Sequence, residues 1–119
     1  MLKNRKVAVL ALFVLTLAVN AFAVDVGNYR IRERVDFAGT TVEPGMYAVS
    51  IVDGEEGKYI QLSKDGQAVA KDLAIVIPAR GTTARPQVQI SRIAGQEFLR
   101  IRIREGDSWY YAYLKRLSS

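Results

Sequence analysis

From Tyr29 to the end of the chain, apolar and polar residues alternate with a period of two. Successive side chains of a strand point to opposite faces, so this pattern predicts half-buried antiparallel strands. Beyond residue 23 no segment repeats apolar residues at helical spacing for three turns. Tyr29, Ile31, Val35 and Phe37 alternate with Arg30, Arg32, Arg34 and Asp36, with Glu33 interrupting the apolar row. Tyr47, Val49 and Ile51 line one face of 46–52, and Ile60 and Leu62 one side of 58–63. In 69–77, Leu73, Ile75 and Ile77 share one face while Ala74 and Val76 occupy the other, which predicts a strand covered on both sides. Segments 87–93, 98–104 and 108–116 alternate again.

Between these runs lie residues with turn chemistry. Pro44-Gly45 fits a type II turn, with proline setting the first central φ and glycine taking a positive second one. Residues 53–57 (Asp-Gly-Glu-Glu-Gly) form a polar hairpin loop, and Asp65-Gly66 suits a two-residue type I′ turn. Residues 78–86 make the longest irregular stretch, Ala94-Gly95-Gln96 turns the chain, and Glu105-Gly106-Asp107 closes a last hairpin. About seven short strands without a crossover helix imply an all-β fold, a small antiparallel β-sandwich or barrel. The chain shows no internal repeat or linker, so 24–119 is expected to be a single domain.

Residues 1–23 follow a different logic. Lys3, Arg5 and Lys6 precede an apolar run, Val7 to Val19, and Ala21-Phe22-Ala23 closes it with small residues. A basic head, an apolar middle and a small-x-small exit predict a signal peptide cleaved after Ala23, because the run is short of the roughly 20 residues of a spanning helix. The other reading is an uncleaved anchor. Cleavage predicts a periplasmic or secreted protein with no stable membrane span. It also lowers the charge: three of the 17 basic residues leave, all 12 acids stay, and the net value falls from +5 to +2. The high overall pI is thus partly an export feature, and no nucleic-acid partner is expected.

The chain has no cysteine and no histidine. Disulfides, thiolate or imidazole metal sites and imidazole-based catalysis are therefore excluded. Glu55 and Glu56 are adjacent and diverge, which makes them a poor acid–base pair. With Asp53 they offer oxygen ligands to calcium, but at no recognisable loop spacing. No catalytic residue, cofactor or metal site is expected.

The segment Ala38-Gly39-Thr40-Thr41-Val42-Glu43-Pro44-Gly45-Met46-Tyr47-Ala48-Val49 resembles the Leu-Pro-Ala-Gly-x-Tyr type of hairpin found in small exported bacterial β-sandwich proteins. Here Pro44 abuts Gly45 with no residue between them. The resemblance implies a β-sandwich and an envelope location, and brings no catalytic residues.

The candidate surface lies in the last hairpin. Arg100, Arg102 and Arg104 share one strand face, and Trp109, Tyr111 and Tyr113 share another. A two-residue II′ loop at Gly106-Asp107, favoured because glycine leads it, sets Arg104 opposite Trp109, Arg102 opposite Tyr111 and Arg100 opposite Tyr113. A three-residue loop slips the register by one and buries the aromatic row. In the first register the outer face becomes an arginine–aromatic ladder. Such a ladder suits an acidic polysaccharide or another envelope protein, or else serves stability alone through cross-strand pairing. Charge is uneven, net −3 over 24–79 and +5 over 80–119. The expected function is an exported, non-catalytic binding or structural module of the bacterial envelope. The alternative is an assembly subunit, an oligomer joined by β-strand addition through 24–37 with its basic row Arg30, Arg32 and Arg34.

Overall fold

The computed structural model describes residues 23–83, 85–93 and 95–117. The expected signal peptide lies outside them except for Ala23. Among the described residues there are ten strands and no helix long and apolar enough to cross a membrane. The strands are β1 (Ala23–Ile31), β2 (Val35–Phe37), β3 (Thr40–Val42), β4 (Gly45–Gly54), β5 (Gly57–Lys64), β6 (Gln67–Leu73), β7 (Ile75–Pro78), β8 (Gln87–Arg92), β9 (Phe98–Glu105) and β10 (Ser108–Arg116).

They form two antiparallel sheets. The first has the order β1-β4-β5-β6; the second runs β3-β2-β10-β9-β8, with β7 also pairing β10. The alternating apolar positions of both sheets meet in one core. Ile31, Phe37, Ile60, Leu62, Ile101 and Leu114 are its largest fully buried side chains. This is the all-β sandwich expected from the period-two pattern.

The chain changes sheets three times, and these crossings account for the strands beyond the expected seven. Residues 32–34 carry it from β1 to β2, so Arg30, Arg32 and Arg34 do not form one strand row. Ala38 and Gly39, both at positive φ, then close a short hairpin between β2 and β3. Residues 43–44 return the chain to the first sheet. The type II turn expected at Pro44-Gly45 is absent, since Gly45 lacks a positive φ and already belongs to β4. Because β3 and β4 lie in different sheets, the chain needs a corner here and not a hairpin. The buried Tyr47 hydroxyl closes that corner by donating to the Glu43 carbonyl at 2.6 Å.

The third crossing corrects another expectation. The 69–77 run is not one strand covered on both sides. It breaks at Ala74, and β7 leaves the first sheet to pair with β10 at the margin of the second. Neither face of β7 lies under the other sheet, so Ile75 is 53 % and Val76 45 % exposed. An apolar run of this length fits a central strand or an uncovered margin equally well, and only the crossing decides which.

A candidate binding face on the second sheet

The hairpin of β9 and β10 sets the geometry. Ser108 pairs with Glu105, Gly106 has φ +60°, and Asp107 has no positive φ, as in a two-residue II′ loop. Arg104 therefore stands opposite Trp109, Arg102 opposite Tyr111, and Arg100 opposite Tyr113. Leu99, Ile101, Ile103, Tyr110, Ala112 and Leu114 point the other way and are buried. The aromatic row thus lies on the outer face, the first of the two registers open to the sequence.

The neighbouring strands widen this face. On β8, Gln87, Gln89 and Ser91 pair with Arg104, Arg102 and Arg100. On β7, Ile77 and Ile75 pair with Trp109 and Tyr111. Across the sheet the rows read amide or hydroxyl, guanidinium, aromatic, aliphatic. The β8 row was missed from sequence. Its alternation was visible, but its placement beside the arginines depends on the β8–β9 register.

Two of the three stacking contacts run diagonally, and only Arg104 sits over its direct cross-strand partner, Trp109. The Arg102 guanidinium lies 4.3 Å from the Trp109 ring centroid, and Arg104 lies 5.5 Å from the same ring. Arg100 is 5.8 Å from Tyr111. Long side chains reach diagonal neighbours across twisted strands, and an indole attracts a cation better than a phenol. The Trp109 and Tyr111 centroids are 6.4 Å apart with the rings tilted by 34°. Tyr113 has no cation over its ring among the described residues and remains exposed.

Stacking covers the arginine stems. The Nε atoms of Arg100, Arg102 and Arg104 are buried without a hydrogen-bond partner among the described residues. Arg104 turns a terminal nitrogen to the loop after β7, donating to the carbonyls of Arg80 at 3.0 Å and Gly81 at 2.8 Å. The four ion pairs among the described residues join Arg34 to Glu43, Lys58 to Asp53, and both Arg92 and Arg116 to Glu33. The ladder arginines take part in none of them. Residues two apart on a strand are roughly 6.5–7 Å apart. At that distance two unit charges repel by roughly 0.6 kcal/mol in water and 2.4 kcal/mol at an effective dielectric of 20. Each cation–π contact returns about 0.5–1 kcal/mol. The contacts offset part of the repulsion but bring no negative charge, so the three cations stand without a paired carboxylate among the described residues.

A cleft of about 510 Å³ adjoins the ladder, lined by Tyr29 from β1, Pro86, Gln87, Gln89, Arg102 and Trp109. A second groove, of about 660 Å³, surrounds the β1–β2 crossing and contains Arg32, Arg34, Arg92, Arg116, Glu33 and Glu43. There the charges are largely paired internally. Glu33 accepts from Arg116 Nε at 2.5 Å and from Arg92 at 3.1 Å. The hydrogen bond from Arg116, followed by that from Arg92, holds the Glu33 carboxyl below the usual carboxylate range against the opposing effect of desolvation.

Among the described residues no three acidic side chains converge as a metal site would require, and Asp53 is engaged by Lys58. No family model matches the chain, and no curated protein or solved structure gives a match.

Proposed function

We propose that this protein is an exported, non-catalytic binding or structural module of the bacterial cell envelope, engaging its partner through Arg100, Arg102, Arg104, Trp109, Tyr111 and Tyr113. One observation carries the reading: three guanidinium groups are stacked in place on aromatic rings with no carboxylate paired to them. Groups positioned before a ligand arrives lose less entropy on binding, which favours recognition over mere solvation. The sequence resemblance around Pro44 and Tyr47, residues that form a corner between sheets in this chain, and the basic, apolar leader support export to the envelope. No cofactor and no bond-breaking step belong to this reading.

The test is binding of the purified protein to envelope polymers and envelope proteins, comparing wild type with Arg102→Ala combined with Tyr111→Ala. Binding should fall by about tenfold or more, the worth of losing one charge-assisted hydrogen bond. Binding unchanged by the double substitution removes this face from the function.

A second reading, an assembly subunit joined by strand addition, draws on the β7 margin. β7 pairs only with β10 among the described residues, and its Ile75, Val76 and Ile77 are exposed. Open apolar edges template pairing with another chain. Donation of 24–37 to a neighbour requires β1 to leave its pairing with β4 of its own chain. Light scattering decides between the readings: a strict monomer at high concentration removes the assembly.

A further inference from the structure

We infer that the ligand of this face is a linear carboxylated polysaccharide, a chain of uronic acid units laid along β9. The inference rests on the binding reading above and names its substrate class.

The covered rings come first. A neutral sugar binds aromatic side chains through their open faces, but Trp109 carries Arg102 and Arg104, and Tyr111 carries Arg100, which leaves Tyr113 as the ring of this row with no cation over it among the described residues. What the face presents is a layer of guanidinium groups. Arg104 already donates one terminal nitrogen to the carbonyls of Arg80 and Gly81, whereas Arg100 and Arg102 have no hydrogen-bond partner among the described residues, and such guanidinium groups select carboxylate or a related oxyanion.

The arrangement then selects a polymer over a small anion. The three arginines stand in line along β9, their Cα atoms roughly 6.5–7 Å apart, with Arg100 over Tyr111 and Arg102 and Arg104 both over Trp109. A ligand that meets all of them carries repeated negative charge along an extended backbone.

Finally, the flanks select a hydroxyl-rich chain over an acidic peptide. Gln87, Gln89 and Ser91 run parallel to the arginines and supply amide and hydroxyl groups along the whole row. An extended peptide gains most of its affinity by adding its backbone to a sheet edge. Here the arginine row comes from β9, an interior strand of the second sheet, and meets a ligand through side chains, while the glutamine and serine row lies on the edge strand β8. The cleft between Tyr29, Pro86, Gln87, Gln89, Arg102 and Trp109 adds a concave seat beside the central cation, with two amides and two aromatic rings around it. Its volume lies within the range of small-molecule sites, about 300–1,000 Å³.

The chain contains a single tryptophan, and it lies under two of the three arginines. Its fluorescence therefore reports occupancy of the face directly. The test titrates the full-length exported protein with oligogalacturonates of increasing length, the same oligomers with carboxyls reduced to alcohols, and polyglutamate. Calorimetry runs in parallel. Oligogalacturonates should shift the Trp109 emission, bind more tightly as they lengthen until they span the three arginines, and weaken with added salt. Carboxyl reduction should weaken binding by about tenfold or more, and so should Arg102→Gln with Arg100→Gln. Gln87→Ala with Gln89→Ala, which leaves the cation row intact, should weaken oligogalacturonate and leave polyglutamate unchanged.

Polyglutamate binding through the arginines without oligogalacturonate binding overturns this inference and keeps the binding face. So does self-association that Glu55→Gln with Glu56→Gln abolishes, which makes a second copy the occupant. Oligogalacturonate binding untouched by the arginine and glutamine substitutions, with native circular dichroism, overturns the inference. If no probe or envelope polymer depends on the arginines, the binding face itself falls with it.

Discussion

Tyr47 does two jobs with one side chain. Its ring fills the core, while its hydroxyl reaches back four residues to the Glu43 carbonyl and closes the corner between the sheets. Tyr47→Phe keeps the ring and removes the bond, so urea unfolding at pH 8 should show a loss of about 1 kcal/mol. Burial, assisted by the nearby Glu43 carboxylate, pushes the Tyr47 phenol above its ordinary value. The unfolded phenol ionises near pH 10, before the folded one. The stabilisation is therefore complete below pH 10 and is lost as pH rises through the native value. The gap between wild type and Tyr47→Phe should narrow above pH 10. A gap that widens there would place the hydroxyl outside the corner. In the sequence, Tyr47 was legible as an inward aromatic of an alternating strand. Its hydroxyl partner was not, because that depends on a corner replacing the turn expected at Gly45.

Among the elements, the β9–β10 hairpin matters most, because one residue of register separates an outer aromatic row from a buried one. Gly106 holds that register at φ +60°, and a Cβ added there meets no atom within 4 Å. Gly106→Ala should therefore cost the backbone term alone, roughly 1–2 kcal/mol for an L residue in left-handed space. Thermal unfolding measures it, and a change within error would mean the turn relaxes to another type. The same local logic made Asp65-Gly66 legible as a turn: both residues take positive φ. It misled at Gly45, where proline–glycine chemistry was present but the chain was not reversing. For β7 the local signal carried no direction at all, because four apolar residues look alike in a buried centre and on an open margin.

For the whole molecule, the charge pattern organises into two unlike sites. At the β1–β2 crossing, Glu33 ties together Arg92 on β8 and Arg116 on β10, residues 59 and 83 positions away. On the outer face the ladder arginines have no such partner. The first is a structural clasp that links the point where the chain changes sheets to the ends of two strands of the second sheet. Its carboxyl titrates below the unfolded value. The stability it supplies is therefore present above about pH 4.3 and is lost as pH falls through the native value. Glu33→Gln should cost about 0.5–1 kcal/mol at pH 7, within the range for partly exposed pairs. The gap between variant and wild type should narrow from pH 7 to pH 3, as thermal midpoints at the two pH values would show. An undiminished gap at pH 3 would mean the clasp works through shape and not charge.

The alternation of apolar and polar residues, with glycine and proline at the turns, was enough to determine an all-β sandwich or barrel, and the two separate sheets of the tertiary structure make it a sandwich. Alternation at period two has one physical solution that buries its apolar face, and positive φ is demanded of particular residues by local sterics. The same pattern determined which side of each of β4, β5 and β9 faces the core, whereas for β10 it left two registers open, and the two-residue turn at Gly106-Asp107 selects between them. The tertiary structure decided where the chain crosses between sheets, and with it the open margin at β7 and the corner at Tyr47. It also decided that Gln87, Gln89 and Ser91 lie beside the arginine row, and that the guanidinium groups of Arg102 and Arg100 settle diagonally on Trp109 and Tyr111. These depend on strand order, inter-strand register and twist, which arise from contacts between residues distant in the chain and leave no periodic trace within any one segment.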